Sequence, residues 1–129
     1  MTVCEAVGQA DELSPNKIDN ALKRRWLAEA DGLIRERCVR FSAAGFSFEG
    51  VGADGDVSGA LPEEDEELLV PEPFAGSVYR HYLIAQIDLA LGETGRYQNE
   101  MQAYNDALEE FAAHLRRRYP AAARARFRY

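Results

Sequence analysis

Between Phe74 and Leu91 the chain offers a helix almost no polar face. Phe74, Val78, Tyr79, Tyr82, Leu83, Ile84, Ala85, Ile87, Leu89, Ala90 and Leu91 spread over most of the circumference at the 3.6-residue period. A helix that apolar must be covered on several sides. Pro71-Glu72-Pro73 precedes it, since proline fits a first turn and not a helix interior. Gly92 lies where a left-handed stop belongs. The chain has 129 residues, enough for one core and not two. Part of this helix is therefore expected to face another subunit.

The next helix is expected over 94–119, ended by Pro120. Tyr97, Met101, Tyr104, Leu108, Phe111 and Leu115 follow one another at alternating spacings of four and three, a narrow seam of the coiled-coil type. The short link Gly92-Glu93-Thr94-Gly95 makes the two helices an antiparallel hairpin, so the seam is expected to pack within the subunit. Residues 121–129 alternate small and basic groups and read as an extended arm.

Upstream, Thr2-Val3-Cys4-Glu5 has capping-box spacing and predicts a helix to about Leu13. Ser14-Pro15-Asn16 then reads as a turn. Asp19 is a good N-cap for a second helix whose apolar side carries Leu22, Trp26, Leu27, Ala30, Leu33, Ile34 and Cys38, with Trp26 as a core anchor. The opposite face takes Lys23, Arg24, Glu29, Asp31 and Arg35, Asp31 and Arg35 forming an i,i+4 pair. Residues 40–70 lose the helical period. Phe46-Ser47-Phe48-Glu49 and Leu68-Leu69-Val70 alternate or cluster as short strands would. A glycine-rich acidic stretch between them ends in Glu63, Glu64, Asp65, Glu66 and Glu67. The fold class is thus mainly α: a small helical bundle with a C-terminal antiparallel hairpin and a long acidic loop or short β-hairpin between the second and third helices. Residues 1–120 form one domain with 40–70 inserted, and 121–129 form a basic arm.

Charge is distributed unevenly. The net charge is −7, which argues against a nucleic-acid binder whose whole surface is basic. Residues 46–73 hold nine carboxylates and no basic group, while 112–129 hold six arginines and no acidic side chain. An acidic middle and a basic end suggest surfaces meant for different neighbours. Arg116, Arg117 and Arg118 suit a helix C-terminus electrostatically. That reason does not extend to Arg124, Arg126 and Arg128, which lie past Pro120 with Phe127 and Tyr129 among them. Docking onto an acidic protein surface is the expected use.

Chemistry is scarce. No apolar run approaches the ~18 residues of a membrane span. No secretory signal is visible, and the two cysteines, Cys4 and Cys38, make no disulfide framework. His81 and His114 lie on different helices with no nucleophile placed beside either. No zinc spacing occurs, and Asp54-Gly55-Asp56 lacks the other ligands of a calcium loop. His81 and Asp88 are expected to mark a solvated or inter-subunit strip. The expectation is no catalysis, no cofactor and no metal.

Several stretches then resemble one family. Leu68-Leu69-Val70-Pro71-Glu72-Pro73-Phe74, Tyr82-Leu83-Ile84-Ala85-Gln86-Ile87-Asp88, Gly92-Glu93 and Arg96-Tyr97-Gln98-Asn99 resemble the small head–tail connector (adaptor) proteins of tailed bacteriophages and prophages. Arg25-Trp26-Leu27 and Asp31-Gly32 are similar to that family's earlier helix. The resemblance implies a mostly helical subunit that joins a ring of about twelve copies between the portal and the tail or stopper proteins. It implies a place in the virion, with assembly in the host cytoplasm, and a channel through which DNA passes without specific binding. On that reading the arginines at 116–118, 124, 126 and 128 and Phe127 dock onto the portal. The acids at 63–67 line the channel or face the tail, and Tyr79, Tyr82 and Ile84 contact neighbouring subunits. The free subunit is expected to be a monomer until a portal templates it. Two other readings stay open: a small cytosolic helical adaptor that binds a basic protein, and a weak nucleic-acid binder working through the arginine arm.

Overall fold

The computed structural model describes residues 1–38 and 62–118, in which four helices follow in order: α1 (Val3–Leu13), α2 (Asn20–Cys38), α3 (Ala75–Ala90) and α4 (Thr94–Arg118). Their ends obey the local chemistry. Thr2 Oγ1 accepts from the Glu5 amide at 3.2 Å, capping the start of α1, and donates to Glu5 Oε1 at 3.1 Å. Asp19 Oδ1 accepts from the Ala21 amide at 3.1 Å and starts α2. At the end of α3, Gly92 takes φ +80°. Its amide bonds Leu89 O at 3.2 Å and the Glu93 amide bonds Asp88 O at 2.8 Å. These two bonds satisfy carbonyls that the ending helix would otherwise leave bare.

α3 is the central element, packed against α4 most extensively and then against α1 and α2. The seam on α4 closes on it: Tyr104, Leu108, Phe111 and Leu115 are buried, and Met101 is half-buried against the core. Phe74 meets Phe111 at 5.6 Å between ring centres, and Tyr82 meets Tyr104 at 5.2 Å, spacings within the favourable range for aromatic pairs. The hairpin is therefore intramolecular, as its short link requires.

The apolar excess of α3 is covered within the subunit. α1 contributes Val3, Ala6, Val7 and Ala10, and α2 contributes Leu27, Ala30 and Ile34. Leu68, Leu69 and Val70 complete the cover. Large apolar side chains left exposed on or just after α3 are Leu89 and Leu91, at its C-terminal end. Three further expectations change. The buried face of α2 runs through Lys23, Leu27, Ala30, Asp31 and Ile34, whereas Leu22 and Leu33 are exposed and Trp26 is only half-buried. The reason is that Lys23 and Asp31 find polar partners inside the fold, so the buried stripe is turned away from the most apolar one. Residues 68–70 are not a strand; they belong to the core, not to an inserted loop. Among the described residues the one β-type pairing is an isolated bridge between Thr2 and Glu67. The proposed strand at 46–49 and the rest of 39–61 lie outside the described residues, as does the arm beyond 118.

Candidate functional site

Two polar constructions organise the surface and the interior. The first is the acidic turn. Its backbone folds back on itself, with the Glu66 amide bonding Glu63 O at 3.2 Å. The Val3 amide bonds Glu66 O at 3.0 Å and the Cys4 amide bonds Glu64 O at 2.8 Å. The turn thus satisfies two amides at the start of α1 and sets its carboxylates beside the positive end of that helix. Arg24 Nη1 donates to Pro62 O at 3.2 Å and ties the approach to the turn onto α2. The side chains of Glu63, Glu64, Asp65 and Glu67 remain exposed, and Glu66 is half-buried. The Met1 ammonium reaches Glu67 Oε2 at 3.0 Å and Glu72 Oε1 at 3.9 Å.

The basic side chains lie at the same end of the bundle. Phe74, two residues after Glu72, has its ring centre 4.9 Å from that of His114, and Arg116 and Arg117 follow within one turn of α4. Both are exposed, and Arg116 reaches Glu109 at 3.8 Å. The side chain of Arg118, and all of Arg124, Arg126, Phe127 and Arg128, lie outside the described residues.

The second construction is buried. Asp31 on α2 accepts at Oδ2 from the Leu69 amide at 3.0 Å and at Oδ1 from the hydroxyl of Tyr79 on α3. The Tyr79 hydroxyl accepts in turn from the Val70 amide at 2.8 Å. Asp31, Tyr79 and Val70 are wholly buried, and Leu69 nearly so. Burial is the main force on the carboxyl and pushes it up to about 7, against the lowering effects of Tyr79, the Leu69 amide and the charge of Arg35. Burial, then the neighbouring Asp31, pushes the Tyr79 hydroxyl well above its usual range. Burial also pushes Tyr82 up to about 12, with Glu29, Tyr104 and Tyr97 adding to it.

Three smaller features complete the inventory. Buried Lys23 donates to Asp11 Oδ1 at 2.7 Å, so this lysine is part of the interior and not of a solvated face. His81 Nδ1 lies 2.7 Å from Glu100 Oε2, half-buried. Asp88, expected on a solvated or inter-subunit strip, is buried within one copy; burial raises its carboxyl, opposed by Arg96 and helped by Glu100 and Glu93. An open hollow of about 420 Å³ lies between α2 and α4, lined by Leu33, Ile34, Glu36, Tyr104 and Leu108.

The residues expected to contact neighbouring subunits turn inward. Tyr79 has no exposed surface, and Tyr82 and Ile84 keep less than a tenth of theirs. In this fold they support the core and the Asp31 cluster. The sequence period could not reveal that cluster, because its donors come from residues 38 and 48 positions away. Cys4 is exposed on α1. Among the described residues no group of three or more His, Cys, Asp or Glu is placed to hold a metal ion, and no helix is long and apolar enough to cross a membrane. Compared with protein-family models, curated proteins and solved structures, the chain finds no match in any of the three.

Proposed function

We propose that this chain is a structural, non-enzymatic subunit of a phage or prophage head–tail connector, joining a ring between portal and tail and continuing the DNA channel. The observation that carries the reading is where the family-like residues sit. Leu68–Val70 are buried, Pro71–Phe74 lead into α3, and Tyr82–Asp88 form its centre. The resemblance therefore falls on the residues that build the fold, as it should for a family united by architecture.

Two features suit the role. The core of one copy is closed around α3, which fits a subunit that waits as a monomer and assembles only on a portal. Fixed acids at 63–67 and exposed Arg116 and Arg117 share one end of the bundle, giving a surface of mixed sign suited to directional stacking. Docking is assigned to that basic end and the arm beyond it, and the acidic turn to the channel or tail side. Lateral contact falls to exposed side chains such as Leu89 and Leu91 in place of Tyr79, Tyr82 and Ile84.

The test mixes the full chain with a tailed-phage portal protein from the same genome. Co-migration as one large complex is expected. Deletion of residues 121–129 should abolish it while circular dichroism stays helical. Undiminished binding by the truncated chain would remove the arm from the mechanism, and no binding by the full chain would contradict the reading. Binding to duplex DNA that falls steeply with added salt would favour the nucleic-acid alternative.

A further inference from the structure

The buried cluster joins three parts of the chain that are distant in sequence, and its members differ in kind. Asp31 can gain or lose charge. Leu69 and Val70 contribute only backbone amides. Tyr79 stands between them as acceptor and donor. The groups around the carboxyl can be named element by element. α2 adds Arg35, α3 adds Tyr79, and α4 adds Tyr104, which acts on Tyr79. α1 faces the core with Val3, Ala6, Val7 and Ala10, none ionisable. Leu68, Leu69 and Val70 cover it with apolar side chains.

Residues 66–70 are held by the burial of Leu68, Leu69 and Val70, by the Met1 ammonium on Glu67 Oε2 at 3.0 Å, and by a few backbone bonds. The Leu68 amide bonds Met1 O at 2.9 Å, and Glu66 O receives the Val3 amide. The Leu69 and Val70 amides both end on the Asp31–Tyr79 pair. We propose that residues 66–70 form a proton-sensitive strap, held shut over Asp31 while that carboxyl is protonated and lifted more readily once it is ionised.

Proton linkage sets the direction of the effect. An ionised carboxylate under the strap accepts two hydrogen bonds but is cut off from water, which charged groups need most. Lifting the strap hydrates it. A neutral acid gains far less from being uncovered. Its proton can sit on Oδ1 and point at Tyr79 Oη, so that Oδ2 still accepts from Leu69 and Tyr79 still accepts from Val70. The Asp31–Tyr79 bond reverses and the tyrosine hydrogen turns aside, but both bonds to the strap survive. The closed form therefore binds the proton more tightly than the lifted form, and rising pH favours lifting. Because the acidic turn and the start of α1 share backbone bonds with this segment, lifting also frees the carboxylates at 63–67 from the helix end. The device acts within one subunit and does not lean on the connector reading.

Amide hydrogen exchange tests it on the full chain. Protection of the Leu69 and Val70 amides is followed from pH 5.5 to 8.5, after division by intrinsic exchange rates. With the carboxyl at about 7 when covered and at the ordinary aspartate value of 3.8 when hydrated, protection should fall on the order of thirtyfold over that range and level off above neutrality. Asp31→Asn should be flat across the same range. The Leu83 and Ile87 amides of α3 should stay better protected throughout. Protection that does not change with pH in the native chain would overturn the proposal. So would Leu69 and Val70 exchanging in step with Leu83 and Ile87 at every pH, since the strap would then open only with the whole fold. If Asp31→Asn does not fold, a carbon-13 titration of the Asp31 carboxyl in the native protein decides. Loss of Leu69 and Val70 protection that follows this titration while Leu83 and Ile87 stay better protected supports the strap, and loss that does not follow it, or a midpoint in the ordinary aspartate range, overturns it.

Discussion

At the scale of single residues, the most consequential feature is a carboxylate placed where an apolar side chain would be expected. Asp31 is tolerable there because two donors reach it and the Tyr79 hydroxyl in turn accepts from the Val70 amide. Tyr79→Phe removes that relay, leaving a buried amide unsatisfied and the carboxyl with one donor fewer. Urea denaturation should show a loss of about 2–4 kcal/mol. The sign of the pH effect on global stability follows from the raised carboxyl. Between the ordinary aspartate range and about 7 the folded chain binds more protons at this site than the unfolded one. The site's contribution to stability therefore falls as pH rises through that window, by at most about 1.4 kcal/mol per pH unit. The difference in urea stability between the native chain and Asp31→Asn should shrink steadily from pH 4 to 7 and then stay constant. Two helical glycines point the other way. A Cβ at Gly8 or Gly32 would meet nothing within 4 Å, so Gly8→Ala and Gly32→Ala should each stabilise the isolated chain by about 1 kcal/mol.

At the scale of elements, ends and seams dominate. Gly92 holds a positive φ that a side chain resists, and Gly92→Ala should cost about 1–2 kcal/mol. Phe111 is fully buried in the seam between α3 and α4. Phe111→Ala should cost about 3–5 kcal/mol in the same denaturation assay, while Leu89→Gln at the exposed end of α3 should change stability by no more than about 0.5 kcal/mol. These elements were also the most legible in the sequence. The Thr2 and Asp19 caps, the Gly92 stop and the four–three spacing of the α4 seam are local signals, and the helices begin and end within a residue or two of where those signals put them. The inner face of α2 was not legible. Lys23 and Asp31 look like surface residues until Asp11, Leu69 and Tyr79 are brought beside them. Leu68–Val70 likewise reads as a strand because it is apolar and short. Its amides instead bond the Met1 carbonyl and two side chains, which no periodicity encodes.

At the scale of the molecule, the same distinction separates fold from function. The excess of apolar surface on α3 suggested a subunit incomplete without its neighbours. The structure closes that surface with α1, α2, α4 and residues 68–70, so the proposed assembly draws on what stays outside. That is the mixed-charge end formed by the 63–67 turn and the end of α4, with Leu89 and Leu91 at the far end of α3. Tyr79, Tyr82 and Ile84, chosen from the sequence as contact residues, are buried within one copy, on the covered side of the central helix. The basic arm, which carries the docking assignment, is best examined in the assembled particle. The most direct measurement is therefore electron microscopy of the full chain mixed with a tailed-phage portal protein from the same genome. The account predicts a closed ring of copies seated on one face of the portal, its channel continuous with the portal's own. Portal particles left bare, with the chain remaining a monomer at saturating concentration, would contradict it.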